Sequence, residues 1–176
     1  MTDRFLAGQA AGQNDQLVYD FLDSHSIAFQ RCDHRAVYTC EEADELVPDL
    51  PGARTKNLFL RDRKGRRHFL LIVRPDQRVD LRALSAKLAV GNLSLASPER
   101  LKEHLGVDPG SVSFLALLHD RRHAVEVIFE QSVWTANHML SHPMVNTSTL
   151  VLSLESVRQI LNATGHKHRV IKVPER

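Results

Sequence analysis

Cysteine is almost missing from this chain. Cys32 and Cys40 are the two in 176 residues, too few for a disulfide framework and without companions to complete a cysteine-based metal site. Both read as reduced thiols. No apolar run is long enough to cross a bilayer and no basic-then-apolar leader follows Met1, so the expectation is a cytoplasmic protein with neither a membrane span nor a secretory signal. Nor is there an excess of either sign of charge. With 23 Lys and Arg against 21 Asp and Glu, the formal net charge is +2. This is no polycation that would coat nucleic acid indiscriminately, so DNA is not an expected partner and any RNA binding must come from local patches. The hydrophobic share of 43% and charged share of 25% are those of a soluble globule, and the length fits one domain able to bury its own core.

Residues 1–14, rich in Ala, Gly and Gln without a sustained period, read as a leader before a single domain over 15–176. Leu17, Val18, Phe21 and Leu22 sit at helical spacing between Asp15 and Ser24. A short strand is expected from Ile27 to Arg31. Thr39-Cys40-Glu41-Glu42 has the order of a capping box and predicts a helix to about Val47, ahead of Pro48 and Pro51. Leu58-Phe59-Leu60 and the run His68 to Val73 flank a charged, Gly-containing turn, which predicts a β-hairpin. Asp80 and Ser97-Pro98 are helix starts, and Gly106 a stop.

Farther on, Val112 to Leu118 and Ala124 to Glu130 read as the strands of a second hairpin, turning through His119 to His123. A short helix from Gln131 to Leu140, a strand from Leu150 to Leu152, a helix from Ser153 to Gly165 and a strand from Val170 to Val173 complete the reading. Strands and helices mix without regular βαβ alternation. The fold class expected is α+β, a mainly antiparallel sheet with helices around it.

Several chemistries are disfavoured by pattern. The pairs His119/His123 and His138/His142 have i,i+4 spacing, but the first lies in a predicted turn, and the second lacks the Glu of a zinc helix and runs into Pro143. No metal and no cofactor is expected. There is no Gly-x-Ser-x-Gly elbow, and no P-loop lysine accompanies Gly106-Val107-Asp108-Pro109-Gly110. What stands out is a lysine and an amide, Lys56-Asn57, at the entrance of an apolar strand, and a second polar segment, Ser141-His142-Pro143-Met144-Val145-Asn146-Thr147-Ser148-Thr149.

In this order the two segments resemble the YbaK/prolyl-tRNA editing domain family, whose members carry a Lys-Asn-Leu-Phe-Leu hairpin followed by His-Pro-x-x-Asn-x-x-Thr. The likeness runs from about Asp15 to the C-terminus and takes in Gly110-Ser111-Val112-Ser113, an Asp120 turn and Gly165-His166. Within the family the chain looks most like the freestanding ProXp-ala (PrdX) branch. The resemblance implies a curved mixed sheet wrapped by helices. It also implies an enzyme that hydrolyses mischarged Ala-tRNA(Pro) and so keeps alanine out of proline codons.

By that likeness Lys56, Asn57 and His142 are catalytic candidates: an ammonium for a phosphate or the ester carbonyl, an amide for a ribose hydroxyl or water, and an imidazole that positions substrate. Gly110, Ser111, Val112, Ser113, Phe114, Asn146, Thr147 and Thr149 are candidate substrate-binding residues. Phe114 stands where the family's loop usually has proline, which frees the backbone and is expected to reshape the pocket. Two basic clusters, Arg61/Arg63/Lys64/Arg66/Arg67 and Arg121/Arg122, are candidates for gripping the tRNA acceptor stem if their turns share a rim. Prolyl-tRNA synthetase or an elongation factor is the other implied partner. Competing readings keep the fold but act on Ser-, Thr- or Cys-tRNA, bind tRNA or a synthetase without catalysis, or hydrolyse an unrelated small ester.

Overall fold

The computed structural model describes residues 3–37 and 49–176, with side chains from residue 12 onward. The helix predicted from the Thr39 capping box, and Cys40 with it, lie outside the described residues. Helix α1 covers Asp3–Ser24, so it starts well inside the segment read as a leader. Its Val18 and Leu22 are fully buried. Strand β1, Gln30–Asp33, follows a little later than expected.

The hairpin forms as predicted from β2, Lys56–Arg61, and β3, His68–Val73, antiparallel with Lys56 opposite Val73 and Arg61 opposite His68. Its turn is shaped by Asp62, whose Oδ1 accepts from the N–H of Arg66 (2.8 Å) and Arg67 (3.1 Å). Gly65 takes the left-handed backbone there, φ 65°. Helix α2, Leu81–Lys87, is capped by the Asp80 carboxylate, which accepts from the N–H of Arg82 and Ala83. Strand β4, Ser94–Leu95, leads to α3, Pro98–Leu105, which has Ser97 as its N-cap and Gly106 as a left-handed C-cap.

Two expectations are corrected next. Residues Phe114–His119 form a 3-10 helix, with the Ser113 hydroxyl accepting from Leu115 N–H at its start. Phe114, Leu115, Ala116 and Leu117 are all buried; a continuous apolar run of this length suits a buried helical turn as well as a strand. The two runs accordingly do not pair as a hairpin: β5, Val125–Glu130, pairs in parallel with β3 on one side and with the strand at His168–Ile171 on the other. Likewise, the helix expected over Gln131 to Leu140 is a single turn, α4 (Gln131–Trp134), and the chain then becomes β6, His138–Ser141. Strand β7 is Ser148–Ser153, α5 is Leu154–Thr164 between the Ser153 and Gly165 caps, and β8 is His168–Ile171.

The strands make two sheets, β1-β7-β6, all antiparallel, and β4-β2-β3-β5-β8, which is mixed. An isolated parallel bridge between Ala53 and Met139 joins them. The α+β architecture with mixed strand pairing therefore stands. Strand alternation splits the core. Phe59, Leu70, Ile72, Val127 and Phe129 face the larger cluster, with α1, α3, α5 and the three-stranded sheet. Leu60, Phe69, Leu71, Val73 and Ile128 face the smaller one, closed by Leu84 and Leu88.

His68 is an unusual core residue, 4% exposed, its ring 5.7 Å from Phe59 and 4.1 Å from His104. Arg100 Nη1 donates to its Nε2 at 2.8 Å. Burial, then the nearby His104 and Arg100, lower its pKa to about 4. The unfolded chain takes up this proton near the ordinary 6.5 and the folded chain only near 4. Stability is therefore complete above the unfolded value and is lost as pH falls through the folded one, by about 3 kcal/mol for His68. Urea midpoints across this window should show the loss, and His68→Phe should flatten it.

Candidate functional site

The junction of the two sheets positions the candidate residues. Ala53 N–H donates to the His138 carbonyl (2.8 Å), Leu140 N–H to the Ala53 carbonyl (2.9 Å) and the Thr55 hydroxyl to the Leu140 carbonyl (2.9 Å). These bonds hold the entrance of β2 against the exit of β6, so Asn57 and His142 each lie two residues beyond a bonded partner. Thr55 was not foreseen in this role.

Lys56 and Asn57, adjacent in sequence, are separated by the strand. Lys56 shares the parity of Leu58 and Leu60, on the side of the smaller core cluster. Its ammonium donates to the carbonyls of Pro75 and Gln77, both at 2.7 Å, which leaves one N–H for anything else. Gln77 in turn donates to Glu130 and to the Val173 carbonyl. Asn57 shares the parity of Phe59 and faces the larger cluster. Its Oδ1 is out of contact with solvent and has no hydrogen-bond partner among the described residues.

His142 follows β6, one residue beyond its end. Its Nε2 is 3.2 Å from the Val112 carbonyl, an acceptor, so Nε2 carries the proton and Nδ1 presents a lone pair. Nδ1 is buried and also unpartnered among the described residues. Burial pushes the imidazole pKa down, and the Val112 carbonyl partly opposes this. The ring is thereby neutral near pH 7. Among the described residues, two uncharged acceptors are therefore left without donors near the junction of the sheets, a costly arrangement unless a ligand supplies the donors.

The loop at 110–113 is clamped onto this segment. Ser113 Oγ donates to the His142 carbonyl (2.6 Å), lies 3.1 Å from Ser141 Oγ and accepts from Leu115 N–H (3.2 Å). Its hydroxyl is fully used in fixing the loop, which corrects its assignment to substrate. Phe114 is corrected as well: it is 1% exposed and packs edge-on against Phe129 at 5.7 Å, so the ring belongs to the core. Gly110 has φ 89°, and a Cβ there would meet nothing within 4 Å, so backbone conformation rather than a close approach requires glycine. Ser111 N–H is held by the Asp108 carbonyl.

Residues Asn146, Thr147 and Thr149 serve a different neighbour. The Asn146 carbonyl accepts from Val37 N–H, the Thr147 carbonyl accepts from His34 N–H, and Thr149 Oγ1 is 2.9 Å from His34 Nε2. They tether the 34–37 segment, and the Thr149 hydroxyl donates to the His34 ring, whose Nδ1 is bonded to the Arg35 carbonyl. Between them and His142 stands Met144, buried in the core with a left-handed φ of 61°. Such a conformation costs a non-glycine residue about 1 kcal/mol and is typical of strained segments beside binding sites.

The basic turns do share an end of the five-stranded sheet, although only one belongs to a hairpin. His68 lies beside Val125 in the parallel pairing of β3 and β5, so residues 62–67 and 120–124 leave the sheet together. Arg63, Lys64, Arg66, Arg121 and Arg122 are exposed there. Arg67 is spoken for: Nε and Nη2 donate to Glu126 Oε1 and Oε2 at 2.6 and 2.8 Å. Arg61 Nη1 folds back onto the carbonyls of Asp62 and Arg63.

Among the described residues no group of three metal-ligating side chains is assembled, and no helix is long and apolar enough to cross a membrane.

The model of the aminoacyl-tRNA editing domain matches residues 34–160. The prolyl-tRNA editing protein ProX of Acetoanaerobium sticklandii is 36% identical over 158 residues, covering 90% of this chain and 96% of that one. Prolyl-tRNA synthetase associated domain-containing protein 1 of Danio rerio is 36% identical over 149 residues, 84% of this chain and 80% of its own. A solved structure described as a candidate trans-editing enzyme for prolyl tRNA synthetase superposes with a TM-score of 0.69 at 17% identity, over 93% of this chain and 98% of that one, a likeness of fold. With the ordered Lys-Asn and His-Pro segments, the match over most of the chain and these full-length relatives, the chain belongs to the aminoacyl-tRNA editing domain family.

Proposed function

We propose that this chain is a trans-editing deacylase that hydrolyses the ester joining alanine to the 3′ end of tRNA(Pro). The observation that carries the reading is the pair of buried acceptors without a partner among the described residues, Asn57 Oδ1 and His142 Nδ1, each two residues beyond the Thr55–Leu140 bond that joins the sheets. Their complement is a group rich in donors, and an aminoacyl ester awaiting hydrolysis brings two: its α-ammonium and the attacking water. Relatives named for prolyl-tRNA editing and synthetase association support tRNA(Pro) as substrate and prolyl-tRNA synthetase or an elongation factor as partner.

The chemistry asks little of the protein. An aminoacyl ester is activated, so orienting water and substrate suffices without a protein nucleophile. Water adds to the ester carbonyl carbon, the bond to the ribose oxygen breaks, and a proton passes to that oxygen, giving alanine and tRNA with a free 3′ end. The neutral His142 ring can hold the proton in transit, and the neighbouring ribose hydroxyl of the substrate assists. Lys56 enters through the one N–H its carbonyl partners leave open, available to a phosphate or carbonyl oxygen. Selection is a second sieve, in which a pocket beside His142 small enough to exclude proline admits alanine. With the Ser113 hydroxyl already satisfied, a seryl or threonyl side chain finds fewer partners for its hydroxyl.

The test is deacylation of tRNA(Pro) charged separately with alanine, serine, cysteine and proline, by wild type and by Lys56→Ala. Selective loss of the alanyl ester is expected. Preference for the seryl or cysteinyl ester moves the specificity within the fold, and inertness toward all four leaves a binding module. A Lys56→Ala rate equal to wild type removes Lys56 from the reaction and leaves it as a support for residues 75–77.

A further inference from the structure

We propose that the cleft at the starts of the paired strands β5 and β8 is a phosphate-binding site for the double-stranded stem of the RNA, with Lys167 and Arg169 as its contacts and Glu126 as an internal brake on affinity. This rests on the reading of the chain as a tRNA-acting protein. The cleft, of about 600 Å³, is lined by His123, Glu126, His166, Lys167, His168 and Arg169 among others. In the parallel pairing of β5 and β8, Val127 lies beside His168, so residues 165–167 leave the sheet at the same end as the turns at 62–67 and 120–124. Three separate connections thus deliver Arg63, Lys64 and Arg66, then Arg121 and Arg122, then Lys167 to one rim.

The acidic groups at this rim are all engaged. Asp62 is turned onto the N–H groups of its own turn, and Asp120 is buried against His166 at 3.1 Å. Glu126 joins Arg67 to Arg169, whose Nη2 is 3.2 Å from Oε2. The remaining field is positive. The large hydrophobic side chains exposed among the described residues are Leu95 and Val170, not aromatic rings. A single strand is held by stacking on aromatics, whereas a duplex is held by its backbone and shape; the imidazoles at the cleft, His123 and His168, are packed against His166 and Trp134, and the cations beside them suit the duplex. The rim lies at the Arg61 end of β2 and the proposed reaction site at the Lys56 end, about 17 Å apart by strand geometry. That separation lets the stem be gripped while the 3′ end reaches the site.

The experiment measures fluorescence anisotropy of uncharged tRNA and of a short RNA hairpin against salt concentration, for wild type, Lys167→Ala/Arg169→Ala and Glu126→Gln. The double variant should bind about tenfold more weakly at low salt, and its log–log salt slope should be shallower by about 2, one for each cation. Glu126→Gln should bind more tightly than wild type. In deacylation the double variant should raise KM for charged tRNA with kcat unchanged, and leave a charged 3′ tetranucleotide unaffected. An unaltered salt slope overturns the proposal, as does equal impairment on the tetranucleotide, or a loss confined to binding of a synthetase. Wild type that grips the hairpin but deacylates nothing rejects the proposed reaction and leaves this RNA surface standing.

Discussion

Asn57→Leu is expected to be more stable than the wild type by about 1 kcal/mol while its deacylation rate falls about 100-fold. The two effects have one origin. Asn57 Oδ1 is buried without a donor among the described residues, so the folded protein carries a desolvated acceptor that leucine, similar in shape, removes. A residue kept for packing would move both quantities down together. Urea midpoints and single-turnover hydrolysis of the alanyl ester check the pair of signs. Loss of stability with the rate intact would make Asn57 a structural amide and shift the reaction site elsewhere.

Asp120→Ala should lose about 3 to 5 kcal/mol, the range for stripping one partner from a buried charged network. The carboxylate accepts from Ala124 N–H at 3.1 Å, from Val125 N–H at 2.8 Å and from His166 Nε2 at 3.1 Å. Its removal strands two backbone donors and an imidazole at the start of β5. Burial pushes this carboxyl's pKa up, but the bonds from His166 and the backbone outweigh it and hold the group below 3.8. With the folded pKa depressed, the stabilisation is present above 3.8 and is lost as pH falls through the folded value. Asp120→Asn, which keeps an oxygen acceptor, should fall between the two proteins and show no carboxyl titration in that window. Calorimetric melting at neutral pH and at pH values below 3.8 measures both.

What could be read in advance depended on whether the information was local. The β2–β3 hairpin and the caps at Asp80, Ser97, Gly106, Ser153 and Gly165 were legible because a turn or cap residue acts on its immediate neighbours. The 3-10 helix at Phe114 was not, since an unbroken apolar run has no period to reveal its conformation. The role of Arg67 depends on Glu126, 59 residues away, and no local pattern signals such a pair. Lys56 and Asn57 mark the opposite case: strand alternation alone says that neighbours point to opposite faces, and that signal was available in the sequence.

The parallel pairing of β3, β5 and β8 also governs how this molecule comes into being. Its five-stranded sheet joins residues 68–73 to 125–130 and these to 168–171, so ordering it means closing loops of some fifty residues and then some forty before the pairing rewards it. Chains dominated by such distant contacts fold slowly, commonly over milliseconds to seconds. During that interval β5 presents an unpaired, apolar edge, since β8, which covers it, is synthesised some forty residues later. Shortening the chain by β8 alone should therefore yield a protein that aggregates.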